Sequence, residues 1–314
     1  MKIALTVFFG ITIFIASFMI FWIQPLYSKT LLPILGGSPS VWNTSLFFYQ
    51  TALFVGYAYS HFLTRKFNLK QQIYIHISIG ALAFISLPVT VPQYEPAWVL
   101  SHPTLWLFSI LTVYVGPAFV VLSSTSPLLQ RWYSYTKLKN SHDPYFFYSI
   151  SNAGNIAALV LFILLLEPAI GLTRMLQGWS YSYAAFGALM LICILALIKF
   201  APKSETEHTS VSLPGTNRWP AVLLLSFIPT SLLYGVTQHI SFNIASTPLM
   251  WVMPLILYLT AFVIAFMRKR IIKIRLIRGL QLGMIGVYVL LFMFSVDINI
   301  LPAWFVVPVH LVLF

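Results

Sequence analysis

Charge is what this sequence has least of. Six acidic residues are scattered over 314, and charged side chains make up only 8% of the chain. A water-soluble protein needs roughly three times that share to cover its surface. Carboxylates this sparse leave no pair for acid–base catalysis. The single cysteine, Cys193, sits inside an apolar run. It can form no intramolecular disulfide and supplies no metal cluster, which leaves it the role of a small packing residue. No two glycines are spaced as G-x-G, which excludes a dinucleotide fingerprint and a methyltransferase-type loop, and no P-loop is present to hydrolyse ATP. The chain itself therefore shows no catalytic motif, no metal site and no cofactor site.

Apolar length is what the sequence has in abundance, with 59% of residues hydrophobic. Spanning a hydrocarbon layer of about 30 Å takes about 20 apolar residues in a helix, and such stretches recur from end to end. The expected fold is an all-α polytopic membrane protein with about ten spans. They cover residues 3–23, 41–63, 73–89, 105–129, 144–166, 178–199, 219–240, 250–267 and 279–296, and a last run from 303 is still apolar at 314. The first run follows Lys2, is longer than a signal-peptide core and lacks a small-residue cleavage pattern. It reads as an uncleaved helix ending at Gln24-Pro25.

The formal charge of +12 would suggest nucleic acid if it formed one patch, but its distribution argues otherwise. With the N-terminus in the cytoplasm and a crossing at each span, 16 of the 18 basic residues fall inside, and only Lys29 and Arg174 fall outside. Translocating positive loops is disfavoured, so this asymmetry orients a multi-pass protein of a bacterial inner membrane, with the lipid bilayer as its partner and no nucleic acid. The dense basic run from Arg268 to Arg278 reads as an orientation signal, with attraction to anionic headgroups as a secondary role.

The one clearly polar stretch, 201–218, has the composition of a flexible connector. It divides the chain into a six-helix bundle over 1–200 and a second bundle of about four helices over 219–314. An offset of 209 residues aligns Pro39, Trp42, Leu46, Tyr49, Thr51 and Ala52 with Pro248, Trp251, Leu255, Tyr258, Thr260 and Ala261. An even number of intervening spans makes this a parallel, major-facilitator-like repeat. The second half is then incomplete, and the chain reads as part of a longer protein.

Span five carries two small or polar stripes, Ser149/Ala153/Ala157 and Ser151/Asn155/Ala158. Small residues let helices approach closely in lipid, while Asn152 and Asn155 could equally line a solute cavity. Glu167 beside Pro168 is either a solvated interfacial carboxylate or a functional one. Gln24, Gln238, His239 and Asn243 belong to the same outer level and could line a vestibule with it. Gly279, Gly283 and Gly286 read as a close-packing face. Ser123, Ser124 and Ser126 read as re-satisfying backbone groups freed by Pro127, and His76 as a packing histidine.

Three places carry a family resemblance. They are Gln24-Pro25 with 31–44 (LLPILGGSPSVWNT); Ser126–Trp132 with Asp143-Pro144-Tyr145, 151–155 (SNAGN) and Glu167-Pro168; and 235–240 (GVTQHI) with 248–254 (PLMWVMP). They resemble the membrane portion of the bacterial fused major-facilitator/spermidine-synthase proteins. That resemblance implies an aminopropyltransferase-like domain downstream, acting on decarboxylated S-adenosylmethionine and a polyamine. It implies for this chain an anchoring role, with movement of polyamine-type solutes as a further expectation. A stand-alone small-solute permease is the alternative reading.

Overall fold

The computed structural model describes residues 2–36, 38–92, 99, 101–136, 141, 143–200, 219–243, 252–267 and 274–293. Two compact units divide between Ser210 and Val211. The stretch 201–218, most of the basic run at 268–278 and the final apolar run lie outside the described residues. Every described element is a helix.

In the first unit these are α1 (Lys2–Leu35), α2 (Pro39–Lys66), α3 (Leu69–Ala83, with a 3-10 turn over Phe84–Ser86), α4 (Pro103–Ser134), α5 (Phe146–Ala169) and α6 (Leu172–Phe200). The second unit holds α7 (Trp219–Asn243), α8 (Val252–Phe266) and α9 (Ile274–Met293). Nine of the expected spans thus coincide with helices, and four of them, in α1, α4, α5 and α6, are long and apolar enough to cross a membrane. Leu255, Tyr258, Thr260 and Ala261 of the repeat fall in α8, whereas Pro248 and Trp251 lie outside the described residues.

Local chemistry explains most boundaries. A reciprocal capping box starts α3, where Asn68 Oδ1 accepts from the Gln71 amide at 3.0 Å and Gln71 Oε1 accepts from the Asn68 amide at 3.1 Å. Pro39 opens α2, and Arg65 and Lys66 sit in its last turn against the negative end of the helix dipole. One boundary corrects the sequence reading. Gln24-Pro25 does not end the first helix, which runs on through Pro25 and Pro33 to Leu35. Proline is tolerated where neighbouring helices support the freed carbonyl. The stop is Gly36, in the left-handed region at φ 70°, whose amide closes on the Leu32 carbonyl at 2.9 Å.

The unit is built around α1, which packs along α4, α5 and α6 and touches α2. Phe9, Ile13, Ile23, Leu26 and Tyr27 are fully buried, so α1 has no single apolar stripe but is enclosed on most sides. Paired positions give the helix directions. Gly10 meets Ile150 and Gly154 meets Phe14, so α1 and α5 run the same way. Thr12 meets Cys193 and Met19 meets Trp179, so α6 runs against α1. Thr6 meets Tyr133 while Tyr27 lies near Tyr114, so α4 also opposes α1. Such alternation is what successive crossings of a slab require. The outward surface is apolar: Phe54, Ile85, Leu164 and Leu195 are all exposed. An apolar exterior of this extent belongs in hydrocarbon rather than water.

Close approach sets the register of α1 against α5. A Cβ at Gly154 would lie 2.5 Å from the Phe14 carbonyl oxygen, and Ser17 Oγ and Ser151 Oγ share a hydrogen bond of 2.7 Å one turn away. The contact therefore uses the second of the two predicted stripes together with Gly154. Gly56 plays the same part between α2 and α4, where its Cβ would meet Ser123. Nothing among the described residues approaches Gly279, Gly283 or Gly286. The hydroxyls before Pro127 also differ from expectation. Ser123 bonds the Val120 carbonyl at 3.0 Å, and Ser124 and Thr125 bond the Val121 carbonyl at 2.8 and 2.9 Å. Pro127 frees the carbonyl of Ser123 one turn on, so these bonds serve carbonyls that already have helical partners.

Candidate functional site

Glu167 lies at the last turn of α5, beside the end of α1 that carries Gln24, Ser28 and Lys29. Its carboxylate is ion-paired with the Lys29 ammonium, and the two side chains are 26% and 37% exposed. Glu167 is thus neither free nor merely solvated. A π-helical turn over Phe162–Leu166 immediately precedes it. One extra residue in a turn rotates the rest of the helix about its axis, which is a recurring way to re-aim a side chain near a helix end.

The two asparagines separate. Asn152 is half-buried and its Nδ2 donates to the Tyr148 carbonyl of its own helix at 2.8 Å, which occupies the amide locally. Asn155 is buried on the α5 face that meets α1, and its amide has no hydrogen-bond partner among the described residues. Gln24 is likewise buried and unpartnered among them. Gln238 and His239 fall in α7 of the second unit, with Asn243 its last residue, and their side chains lie outside the described part of the structure. The structure therefore brings Gln24 and Glu167 to one end of the first unit, with Asn155 deeper in the same α1–α5 contact.

Lys29 and Gln72 were not singled out as functional in the sequence. Lys29 is the partner of Glu167, and a signal for it existed, since it is one of only two basic residues on the side assigned to the exterior. Trp132 Nε1 donates to Gln72 Oε1 at 2.9 Å, while Gln72 Nε2 donates to the Phe67 carbonyl at 2.7 Å. His76 stacks on Tyr59, bonds its hydroxyl at 3.3 Å and meets Trp132 edge-on, a satisfied packing role. Thr12 Oγ1 contacts Cys193 Sγ at 3.2 Å, deep in the α1–α6 contact. No group of three His, Cys, Asp or Glu able to hold a metal gathers among the described residues.

A lateral cleft of about 730 Å³ opens between α2, α3 and α4, lined by Phe48, Val55, Ile79, Leu82, Phe108 and Val120 among others. Asn152, Asn155 and Glu167 do not line it. Its hydroxyls at Ser86 and Thr112 are turned to carbonyls of their own helices, at 2.7 Å each.

The class these features define is a protein whose described elements are all helices, four of them of membrane-crossing length and apolarity, as an α-helical membrane protein requires. Comparison with family models, with curated proteins and with solved structures finds no match to this chain.

Proposed function

We propose that this chain is the membrane-embedded module of a spermidine-synthase-like fusion protein of a bacterial inner membrane, with its N-terminus cytoplasmic. It anchors a cytosolic catalytic domain and takes polyamine-type solutes at the Glu167 end of the bundle. The observation that carries the polyamine part is the Lys29–Glu167 pair. Lys29 ends in a primary alkylammonium, the same group a polyamine presents, so Glu167 already holds the chemistry such a solute would bring. A bound polyamine would displace Lys29 from the carboxylate.

A direct test measures spermidine binding to purified protein and its flux in proteoliposomes. Lys29→Met leaves the carboxylate free, and spermidine affinity is expected to rise by up to about fivefold, the size of a partly exposed ion pair. Glu167→Gln is expected to abolish binding, and the exchanged pair Lys29→Glu with Glu167→Lys to keep the wild-type stability. Stability itself should change by less than about 1 kcal/mol in either single variant, because both groups retain solvent. Spermidine binding that is absent in all forms, or equal in the wild type and Glu167→Gln, refutes the reading.

A stand-alone permease for a small neutral solute, working by rocking of two parallel-repeat halves, is the second reading. It is favoured by Asn155 and Gln24, two buried amides of the first unit.

A further inference from the structure

The cleft between α2, α3 and α4 owes its shape to the path of α3. At the end of the bundle away from Glu167, α3 fills the space between its two neighbours. There His76 stacks on Tyr59 of α2 and meets Trp132 of α4 edge-on, and Trp132 Nε1 donates to Gln72 Oε1 at 2.9 Å. Towards the Glu167 end α3 is tied to α6 instead. The Phe84 ring meets Tyr183 edge-on at 5.1 Å, the Tyr183 hydroxyl donates to the Gly80 carbonyl at 3.4 Å, and the Val89 amide donates to Ser180 Oγ at 3.0 Å. Meanwhile α2 and α4 stay together, with Phe48 edge-on to Phe108 at 5.8 Å. The result is a wedge, closed at one end and open sideways at the other, with Val55, Leu82, Ile85 and Val113 exposed along it.

Its dimensions and chemistry restrict what can fill it. From Phe108 to Val120 the floor runs about 18 Å along α4, close to the roughly 15 Å depth of one leaflet of hydrocarbon. Spread over that length, the volume of about 730 Å³ leaves a cross-section of roughly 40 Å². A helix with its side chains needs roughly 80–110 Å², so neither a helix of this chain nor one from a partner fits. A hydrocarbon tail does. No charged side chain lines the cleft among the described residues, and the Ser86 and Thr112 hydroxyl protons are given to carbonyls of their own helices. Water would find few partners there. The floor is also built to be low. A π turn over Leu111–Val115 carries α4 into Gly116 and Pro117, which lie at the bottom of the cleft.

We propose that this cleft is a binding site for the acyl tail of a single membrane lipid, taken sideways from the leaflet on the Glu167 side of the bundle. A tail lying on a convex helical surface meets protein on one side only, whereas one in the wedge meets α2, α3 and α4 together. Dispersion contacts add over all three walls, and they are what favours association where no water is expelled. The site shares no residue with the Lys29–Glu167 pair and does not rest on the polyamine reading.

The experiment places the intact protein in nanodiscs containing phosphatidylethanolamine with a diazirine midway along one tail, and maps the photo-adducts by mass spectrometry. Adducts on 48–55, 79–86 and 108–120 are expected to be severalfold denser than those around Leu195, an exposed residue of α6 outside the cleft. Val55→Trp combined with Val113→Trp fills the wedge from exposed positions, so the thermal midpoint should hold while cleft adducts fall to the Leu195 level. Equal density at the cleft and at Leu195 in the wild type overturns the proposal, because the tail would then be ordinary boundary lipid. Density below the Leu195 level also overturns it, since protein would be covering the cleft. Cleft adducts that persist unchanged in the folded double variant do the same.

Discussion

Gly154→Leu should yield no folded protein, and Gly154→Ala should lower stability by about 1–3 kcal/mol, the usual cost of forcing extra volume into a packed contact. A Cβ at this position would sit 2.5 Å from the Phe14 carbonyl oxygen and 3.3 Å from Ser17 Cβ, and the first of these is backbone that cannot step aside. The whole α1–α5 contact would have to open, taking the Ser17–Ser151 bond with it. In lipid, helices associate by packing and interhelical hydrogen bonds rather than by expelling water, so little remains to hold them once the backbones separate. Thermal unfolding in detergent, followed by size-exclusion fluorescence, checks this against Gly80→Ala. Nothing lies within 4 Å of a Cβ at Gly80, and that variant should match the wild type. Equal midpoints for Gly154→Ala and Gly80→Ala would show that the two helices do not approach as described.

Trp132→Ala should cost about 3 kcal/mol, at the lower end of the range for large-to-small changes in cores. The ring is fully buried between α4 and α3, where it meets His76 edge-on and bonds Gln72. Truncation removes those contacts and strands the Gln72 oxygen. Lipid surroundings reduce the transfer part of the cost but leave the packing and hydrogen-bond parts in place. Trp132→Phe separates the two in part, because it keeps a six-membered ring and removes the indole N–H together with the rest of the fused ring. An expected cost of about 1 kcal/mol for that variant identifies the hydrogen bond, and a cost as large as that of alanine would assign the whole effect to ring shape.

Helices were readable wherever apolar length alone decides them, and nine of the expected spans coincide with helices for that reason. Proline misled at position 25, because in a bundle neighbouring helices support a carbonyl that a lone helix would leave bare. The true stop at Gly36 depends on a left-handed backbone, which Gly36 and Gly37 together signal only weakly. Small-residue stripes showed which helix packs closely without showing which face. On α5 the contact fell to Gly154 and the Ser151 stripe, and on α9 the more regular glycine pattern meets nothing among the described residues. Glu167 was legible as an unusual carboxylate, but its pairing with Lys29 joins positions 138 residues apart and needed the fold.

The central claim is that these helices cross a bilayer, and α6 tests it most directly. In a Cys193→Ala background, single cysteines at Gly171 and at Lys199 stand at exposed positions at either end of that helix. Intact cells treated with a membrane-impermeant maleimide should label the cysteine at 171 and spare the one at 199, which should react only in inverted vesicles. Labelling of both positions from one side, or recovery of the chain in the soluble fraction after alkaline extraction, would contradict the account.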